Sequence, residues 1–298
     1  MPTIHHHIAT LQETLKPLRQ QQSIALVPTM GNLHQGHLEL VRLARQHADI
    51  VVVSIFVNPT QFGVGEDFDS YPRTLDEDIA KLTSIGVDYV FAPSISEMYP
   101  VLPPPTLVMA GAIATQLCGQ SRPTHFDGVG IVVAKLFNII QPDSAIFGQK
   151  DYQQLAIIKQ LVRDLSYPIE IIGAPIVRAD DGLALSSRNQ YLTDNERQIA
   201  PSLQAQLKLL ASQLMEAKPE QKVFESLIAK TKKHMTEIGF DVDYLEVKTA
   251  ELTDLSDIHL ASDSSNTKSQ QLVILVAARL GRARLLDNQL LTIKSTPQ

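Results

Sequence analysis

The sequence predicts an α/β protein: a parallel sheet with helices on both faces, followed by a smaller unit of α+β type. Two features lead there. Through residues 1–176, short apolar runs alternate with segments of helical period. Over residues 177–298 the order changes to two long helical patterns and then three strand-like runs. Two domains are expected, divided at that change.

The elements follow in chain order. Ile24-Ala25-Leu26-Val27 is apolar on both faces and reads as a buried strand, and residues 36–47 read as a helix. Residues 50–56 form a second continuous apolar run. Leu75, Ile79 and Leu82 mark the next helix, and residues 89–91 a short strand. Residues 129–140 are apolar enough for a buried helix. Strand, helix and strand follow over 144–147, 153–164 and 169–172. In the second half, 193–215 and 220–238 read as helices, with Thr193 as an N-cap. Strand-like runs lie at 243–247, 272–277 and 283–286. Residues 100–105 hold four prolines and read as an irregular connection. Residues 262–271 are polar and Ser-rich and read as a mobile loop.

The totals exclude several functions. With 298 residues the chain can bury a sizeable core. A net charge of −6 argues against a broad nucleic-acid surface. No apolar stretch is long enough to span a bilayer, and the start lacks a secretory pattern. Cys118 stands alone, which excludes an intrachain disulfide and suits a reducing cytoplasm. A small buried role suits Cys118 better than a nucleophilic one. His5-His6-His7 has the composition of a metal tract or a tag remnant, and is short for either.

The strand at 24–27 runs into Pro28-Thr29-Met30-Gly31-Asn32-Leu33-His34-Gln35-Gly36-His37. A buried strand thus ends in a glycine-containing turn at a helix start. Unpaired N–H groups and the positive dipole end favour an anion there. His34 and His37, one turn apart, add donors. A capping and surface role for the pair is the competing reading. Two further strand ends carry polar groups. Asn58-Pro59-Thr60-Gln61 offers uncharged amides, although turn chemistry alone would explain Asn-Pro. Gly148-Gln149-Lys150-Asp151 places an ammonium and a carboxylate at a helix start; Lys150 can reach phosphate and Asp151 a ribose. Ser186-Ser187-Arg188, at the junction of the halves, is a compact anion-binding group placed where a flap could close. Arg122 and His125 share a loop before the buried helix.

Taken together these residues resemble the pantoate–β-alanine ligase family, within the wider His-x-Gly-His nucleotidyltransferase group. The likeness covers nearly the whole chain, through residues 28–37, 56–62, 71–74, 122–128, 148–154, 183–189, 273–278 and 284–288. It implies a Rossmann-like first domain binding nucleotide and pantoate, a smaller lid domain and a homodimer. It implies condensation of pantoate with β-alanine, using ATP and Mg2+, through a pantoyl adenylate with release of pyrophosphate and AMP. By resemblance, His34, His37, Lys150, Ser186, Ser187 and Arg188 are catalytic, as donors to the phosphates. Met30, Gln61 and Gln154 match pantoate contacts, with Asn58 and Arg122 as further substrate-binding positions. Gly148, Asp151, Val177 and Leu185 match adenosine contacts. Met30, Gly31, Asn32, Leu33, Gln35, Gly36 and Gln149 complete the ATP-binding set. The Mg2+ ligands stay unassigned. Gln149 departs from the family's usual Glu, and the segments at 100–105 and 262–271 are also unlike its usual pattern. On the residues alone, another adenylyltransferase and a silent nucleotide-binding protein remain alternatives; the Lys150 and Ser186-Ser187-Arg188 set argues against the second.

Overall fold

The computed structural model describes residues 1–63, 65–217, 220–255 and 269–293. It forms two compact units, Met1–Val177 and Arg178–Gln298. The first is a six-stranded sheet in the order β1-β4-β3-β2-β5-β6. Its strands are β1 (Thr3–His5), β2 (Ile24–Thr29), β3 (Ile50–Ile55), β4 (Tyr89–Phe91), β5 (Ser144–Gly148) and β6 (Glu170–Ala174). Every neighbouring pair is parallel. The helices are α1 (Ile8–Leu18), α2 (Gln35–His47), α3 (Leu75–Ser84), α4 (Ile95–Met98), α5 (Cys118–Ser121), α6 (His125–Ile140) and α7 (Tyr152–Asp164).

Alternate residues of each central strand enter different cores, as the period of a strand requires. Ile24 and Leu26 of β2, with Ile50 and Val52 of β3, pack with Leu11 and Leu15 of α1 and the apolar length of α6. Ala25, Val27, Val51 and Val53 face the other way, with Val41 and Ala44 of α2 and Ile79 and Leu82 of α3. Both faces are dry, which is why these strands read as unbroken apolar runs.

The N-terminal β1 and α1 have no counterpart in the sequence reading. A three-residue edge strand carries too little pattern. His5, an unpromising core residue, is buried there and faces Tyr89 with ring centroids 6.0 Å apart. The His5-His6-His7 tract thus links the edge strand to α1, with His5 ending β1 and His7 preceding the helix. Helix α6 starts one turn earlier than expected, at His125.

The second unit holds α8 (Asp194–Ile199), α9 (Ser202–Glu216), α10 (Gln221–Glu237) and an antiparallel sheet of β7 (Asp241–Thr249), β8 (Gln270–Leu280) and β9 (Ala283–Ile293). The expected helix over 193–215 is two. Pro201 has no N–H to bond the carbonyl four residues back, so the ladder stops between α8 and α9. Thr193 caps α8 in a capping box with Glu196. Leu203, Leu207, Leu210 and Leu214 of α9 share a core with Leu272, Ile274, Val276 and Ala278 of β8. The loop expected at 262–271 lies mostly outside the described residues; Gln270 and Gln271 belong to β8.

Candidate active site

The sheet order places β3 and β5 on either side of β2. The chain runs outward from β2 through β3 to β4, then returns to build β5 and β6 on the opposite flank. The carboxyl ends of β2 and β5 therefore meet where the winding changes direction, the usual ligand crevice of such sheets. Met30–His37 leaves β2 there, and Gln149–Asp151 leaves β5.

The first turn spends its backbone donors on side chains of the protein, its own histidines and Asp78. Gly31 (φ 83°) and Asn32 (φ 50°) are both left-handed. The N–H groups of Asn32 and Leu33 donate to the buried Asp78 carboxylate of α3, at 2.9 and 2.8 Å. Lys81 Nζ, one turn further on, donates to the Leu33 carbonyl at 2.9 Å. Gly36 N–H donates to His34 Nδ1 at 3.1 Å, and His34 N–H to His37 Nδ1 at 3.3 Å. This corrects the expectation of open N–H groups at this helix start. Those of Asn32, Leu33, His34 and Gly36 are satisfied within the chain. The imidazoles receive them on Nδ1 and, being neutral, carry a proton on Nε2. Each ring thus re-presents the helix-start donor one ring-width further out.

The rings lie 4.2 Å apart, tilted by 39°. Burial, and then the charge of Lys150, push the His34 pKa down to about 4. Burial, then His34, then Lys150 push His37 down to about 3. With both values well below 7, the rings are neutral at pH 7 and can offer N–H donors without a charge of their own. Lys150 supplies the cation: its ammonium is within electrostatic reach of both rings and lies 3.5 Å from Asp151 Oδ1. Gln149 points sideways, donating to the Gly173 carbonyl of β6 at 3.3 Å. A glutamate has no N–H for that bond, so Gln149 ties two strand ends together. At Gly148 the backbone is ordinary (φ −72°), and an added Cβ would meet nothing within 4 Å.

The turn after β3 is wired by Asn58, which is 1 % exposed. Its Oδ1 accepts from the Tyr99 hydroxyl and the Thr60 hydroxyl, both at 3.0 Å. Its Nδ2 donates to the Gly128 carbonyl at 2.9 Å and to Gln61 Oε1 at 3.1 Å. Gln61 is left with its Nε2 outward, 3.1 Å from Met30 Sδ. Asn58 acts through Gln61: its amide is used up inside the protein. Gly128, at the start of α6, allows this approach. A Cβ there would collide with the Thr60 carbonyl and lie 2.6 Å from Gln61 N.

Arg122 is clamped by Glu66, Nε to Oε1 at 2.7 Å and Nη2 to Oε2 at 2.6 Å. Its Nη1 donates to His125 Nε2 at 3.0 Å, while His125 Nδ1–H donates to the Gln61 carbonyl at 2.7 Å. Burial, and then Arg122, hold the His125 pKa down to about 4. Arg122 therefore meets the site as half of an ion pair that braces the Gln61 turn. On α7, Gln153 is buried and holds Cys118 N–H and the Ile113 and Gln116 carbonyls. Its neighbour Gln154 is half-buried, and its side chain makes no hydrogen bond with another described residue.

Val177 ends the first unit. In the second unit, Leu185 is half-buried and Ser186 caps a 3-10 turn over Ser187–Tyr191, its Oγ accepting from Arg188 N–H at 3.3 Å. Asn189 Nδ2 ties the turn to the Ala184 carbonyl at 3.0 Å.

Asp78, Glu66 and Tyr99 are absent from the sequence reading. Asp78 had a signal: with Leu75, Ile79 and Leu82 it completes the i, i+3, i+4, i+7 buried face of α3, where a carboxylate needs partners. Glu66 and Tyr99 had none, because their partners lie 56 and 41 residues away.

A doubly wound parallel sheet with a His-x-Gly-His turn and a lysine turn at its switch point defines a nucleotide-binding type of α/β protein. The family model described as pantoate-beta-alanine ligase matches residues 3–290. The chain belongs to this pantoate-beta-alanine ligase family and is an enzyme of the ligase class. It is 70 % identical to a pantothenate synthetase of Psychrobacter arcticus, over 99 % of this chain and 100 % of that one. It is 52 % identical to one from Acinetobacter baumannii, over 98 % of each. Among solved structures, a pantothenate synthetase from Thermus thermophilus superposes with a TM-score of 0.82 at 41 % identity, covering 96 % of this chain and 98 % of that one. A pantoate-beta-alanine ligase from Francisella tularensis, complexed with beta-gamma ATP and beta-alanine, has a TM-score of 0.75 at 35 % identity, with 97 % and 98 % covered.

Proposed function

We propose that this chain makes pantothenate from pantoate and β-alanine at the expense of ATP, by way of pantoyl adenylate. Two observations support this reading: Lys150 lies within electrostatic reach of His34 and His37 in the turn after β2, and Met30, which begins that turn, is 3.1 Å from the Gln61 amide. His34, His37 and Lys150 suit a triphosphate, and the outward amide of Gln61 suits a small hydroxy acid.

In the first step a pantoate carboxylate oxygen attacks the α-phosphorus of ATP. The bond from that phosphorus to the bridging oxygen breaks, and its electrons leave with pyrophosphate. Charge grows on the phosphate oxygens, where fixed N–H donors lower the barrier. His34 and His37 give Nε2–H, and Lys150 gives a full charge. Gln61 Nε2 and Gln154 fix the acid while leaving a carboxylate oxygen free to react. The open face of Gly148, with Asp151 and Val177, suits the adenosine. Ser186, Ser187 and Arg188 are taken as further phosphate ligands and Leu185 as a nucleoside contact, as their motif implies. In the second step the β-alanine amine attacks the acyl carbon, the carbon–oxygen bond to AMP breaks, and the amine releases a proton.

Mg2+ would be supplied with ATP as co-substrate, where it would offset the charge of the phosphates; its protein ligands stay unassigned.

We also read the chain as a homodimer. Leu107 and Met109 are 73 % and 80 % exposed, beside an apolar hollow of about 520 Å3 lined by Met98, Tyr99, Val101, Val108 and Ile131. A second copy would cover them. Sedimentation of Leu107→Asp/Met109→Asp as a dimer would reject that interface. No helix among the described residues is long and apolar enough to cross a membrane. The single cysteine suits a reducing cytoplasm, which we take as the compartment.

The assay is pyrophosphate and AMP release with ATP and Mg2+. Pyrophosphate should require pantoate alone; AMP should require β-alanine as well. AMP release indifferent to both acids would overturn the reading.

A further inference from the structure

The turn carrying Ser186, Ser187 and Arg188 is held by a guanidinium that the reaction above does not use. Arg178 pairs its backbone with Ala184 in an antiparallel bridge. Between them lies a tight turn, with Gly182 N–H donating to the Ala179 carbonyl at 2.8 Å and Ala179 N–H to the Leu183 carbonyl at 2.9 Å. Arg178 then grips this turn from its own end. Nη1 donates to the Gly182 carbonyl at 3.1 Å and to Asp287 Oδ2 at 2.7 Å. Nη2 donates to Asp287 Oδ1 at 2.8 Å. With the Gln204 amide turned so that both its ends are satisfied, Nε donates at 2.8 Å to its oxygen and its nitrogen donates at 3.2 Å to the same Gly182 carbonyl.

Four of the five guanidinium N–H groups are thus used inside the second unit. Arg178 therefore has little left for a phosphate. Asp287 lies on β9 with a side chain only 2 % exposed, and Gln204 on α9, so two separate elements hold one arginine. Gly182 is left-handed (φ 96°), and a Cβ there would strike the end of Gln204. A side chain at position 182 would therefore disturb the grip.

We propose that Arg178, Gln204 and Asp287 are positioning residues. They set the height at which Ser186, Ser187 and Arg188 are offered to the phosphates of ATP. The proposal rests on reading those three residues as phosphate ligands. It assigns to Asp287, in the segment 284–288 that the reaction leaves unexplained, the task of orienting Arg178. A displacement of about 1 Å in such ligands is enough to slow chemistry severely.

The experiment compares Asp287→Asn, Gln204→Met and Arg188→Ala in the full chain, by pantoate-dependent pyrophosphate release. Asp287→Asn should lower kcat by about tenfold or more and raise the KM for ATP, with the KM for pantoate changed by less than about twofold. Gln204→Met, which keeps the side-chain length, should shift the same two parameters in the same direction by about threefold. Asp287→Glu, which keeps the charge, should restore part of the loss. A merely structural pair would lower the amount of folded enzyme and leave both KM values in place. Wild-type ATP kinetics in folded Asp287→Asn would overturn the clamp. If that variant does not fold, Gln204→Met decides alone, and wild-type kinetics there overturn it. Full activity of Arg188→Ala would instead remove the phosphate reading itself, so the two failures are told apart.

Discussion

The turns after β2 and β3 solve one problem with different chemistry. In each, a donor from behind fills the acceptor end of a side chain, so that an N–H faces outward. After β2, backbone N–H groups fill Nδ1 of His34 and His37. After β3, Asn58 Nδ2 fills Oε1 of Gln61. The difference is that imidazoles titrate and amides do not. The histidine donors are tuned by burial and by Lys150, whereas the Gln61 amide is set by hydrogen-bond direction alone. On the proposed reading, a site for two anions would hold one by charge-coupled donors and orient the other without charge.

The harshest way to break the β2 turn is His37→Ala. It removes an outward donor and strips His34 N–H of its acceptor. Loss of one such donor costs about 3–4 kcal/mol in the barrier, or roughly 10²–10³-fold in pyrophosphate release. Near-normal turnover by a folded variant would deny the ring this role. On the other side, Gln61→Glu reverses the polarity. Oε1 still accepts from Asn58, but an anionic oxygen replaces the outward N–H and faces the pantoate carboxylate. The KM for pantoate should rise by about 10²-fold, against about tenfold for Gln61→Ala. Equal effects of the two would show that direction does not matter there.

Asp78→Asn sharpens the comparison from below. It replaces one acceptor of the first turn by a donor facing an N–H, and should cost about 1–3 kcal/mol in urea unfolding. The turn after β3, which Asp78 does not touch, should keep its pantoate affinity. The last test is pH. His37, His34 and His125 titrate below their usual 6.5, at about 3, 4 and 4. Unfolded, they bind protons that the folded chain refuses. Stability from these groups is complete above pH 6.5 and falls as pH drops toward 4. The slope is at most about 1.4 kcal/mol per pH unit for each histidine still neutral when folded. Unfolding midpoints flat between pH 7 and 5 would mean charged rings.

Much of this was legible in the sequence. The dry strands announced themselves as apolar runs, and strand ends carrying His, Asn or Lys pointed to the crevice. What stayed hidden depends on distant partners. Nothing in the text of Asn58-Pro59-Thr60-Gln61 says that the first amide serves the fourth. That follows from Tyr99 and Gly128 arriving on opposite sides of Asn58. Likewise Gln153 and Gln154 look alike as letters, and the phase of α7 makes one a brace and leaves the other open. The protonation of the imidazoles was hidden for the same reason: it depends on burial and on Lys150, more than a hundred residues on.

The contact of Gly128 with the backbone of Thr60 and Gln61 has a practical meaning for redesign. A helix seated against a turn with no space for one carbon atom cannot be trimmed or padded from its own side. Whoever wishes to reshape the proposed acid site around Gln61 must rebuild both partners of that seam at once, or work from Met30 instead.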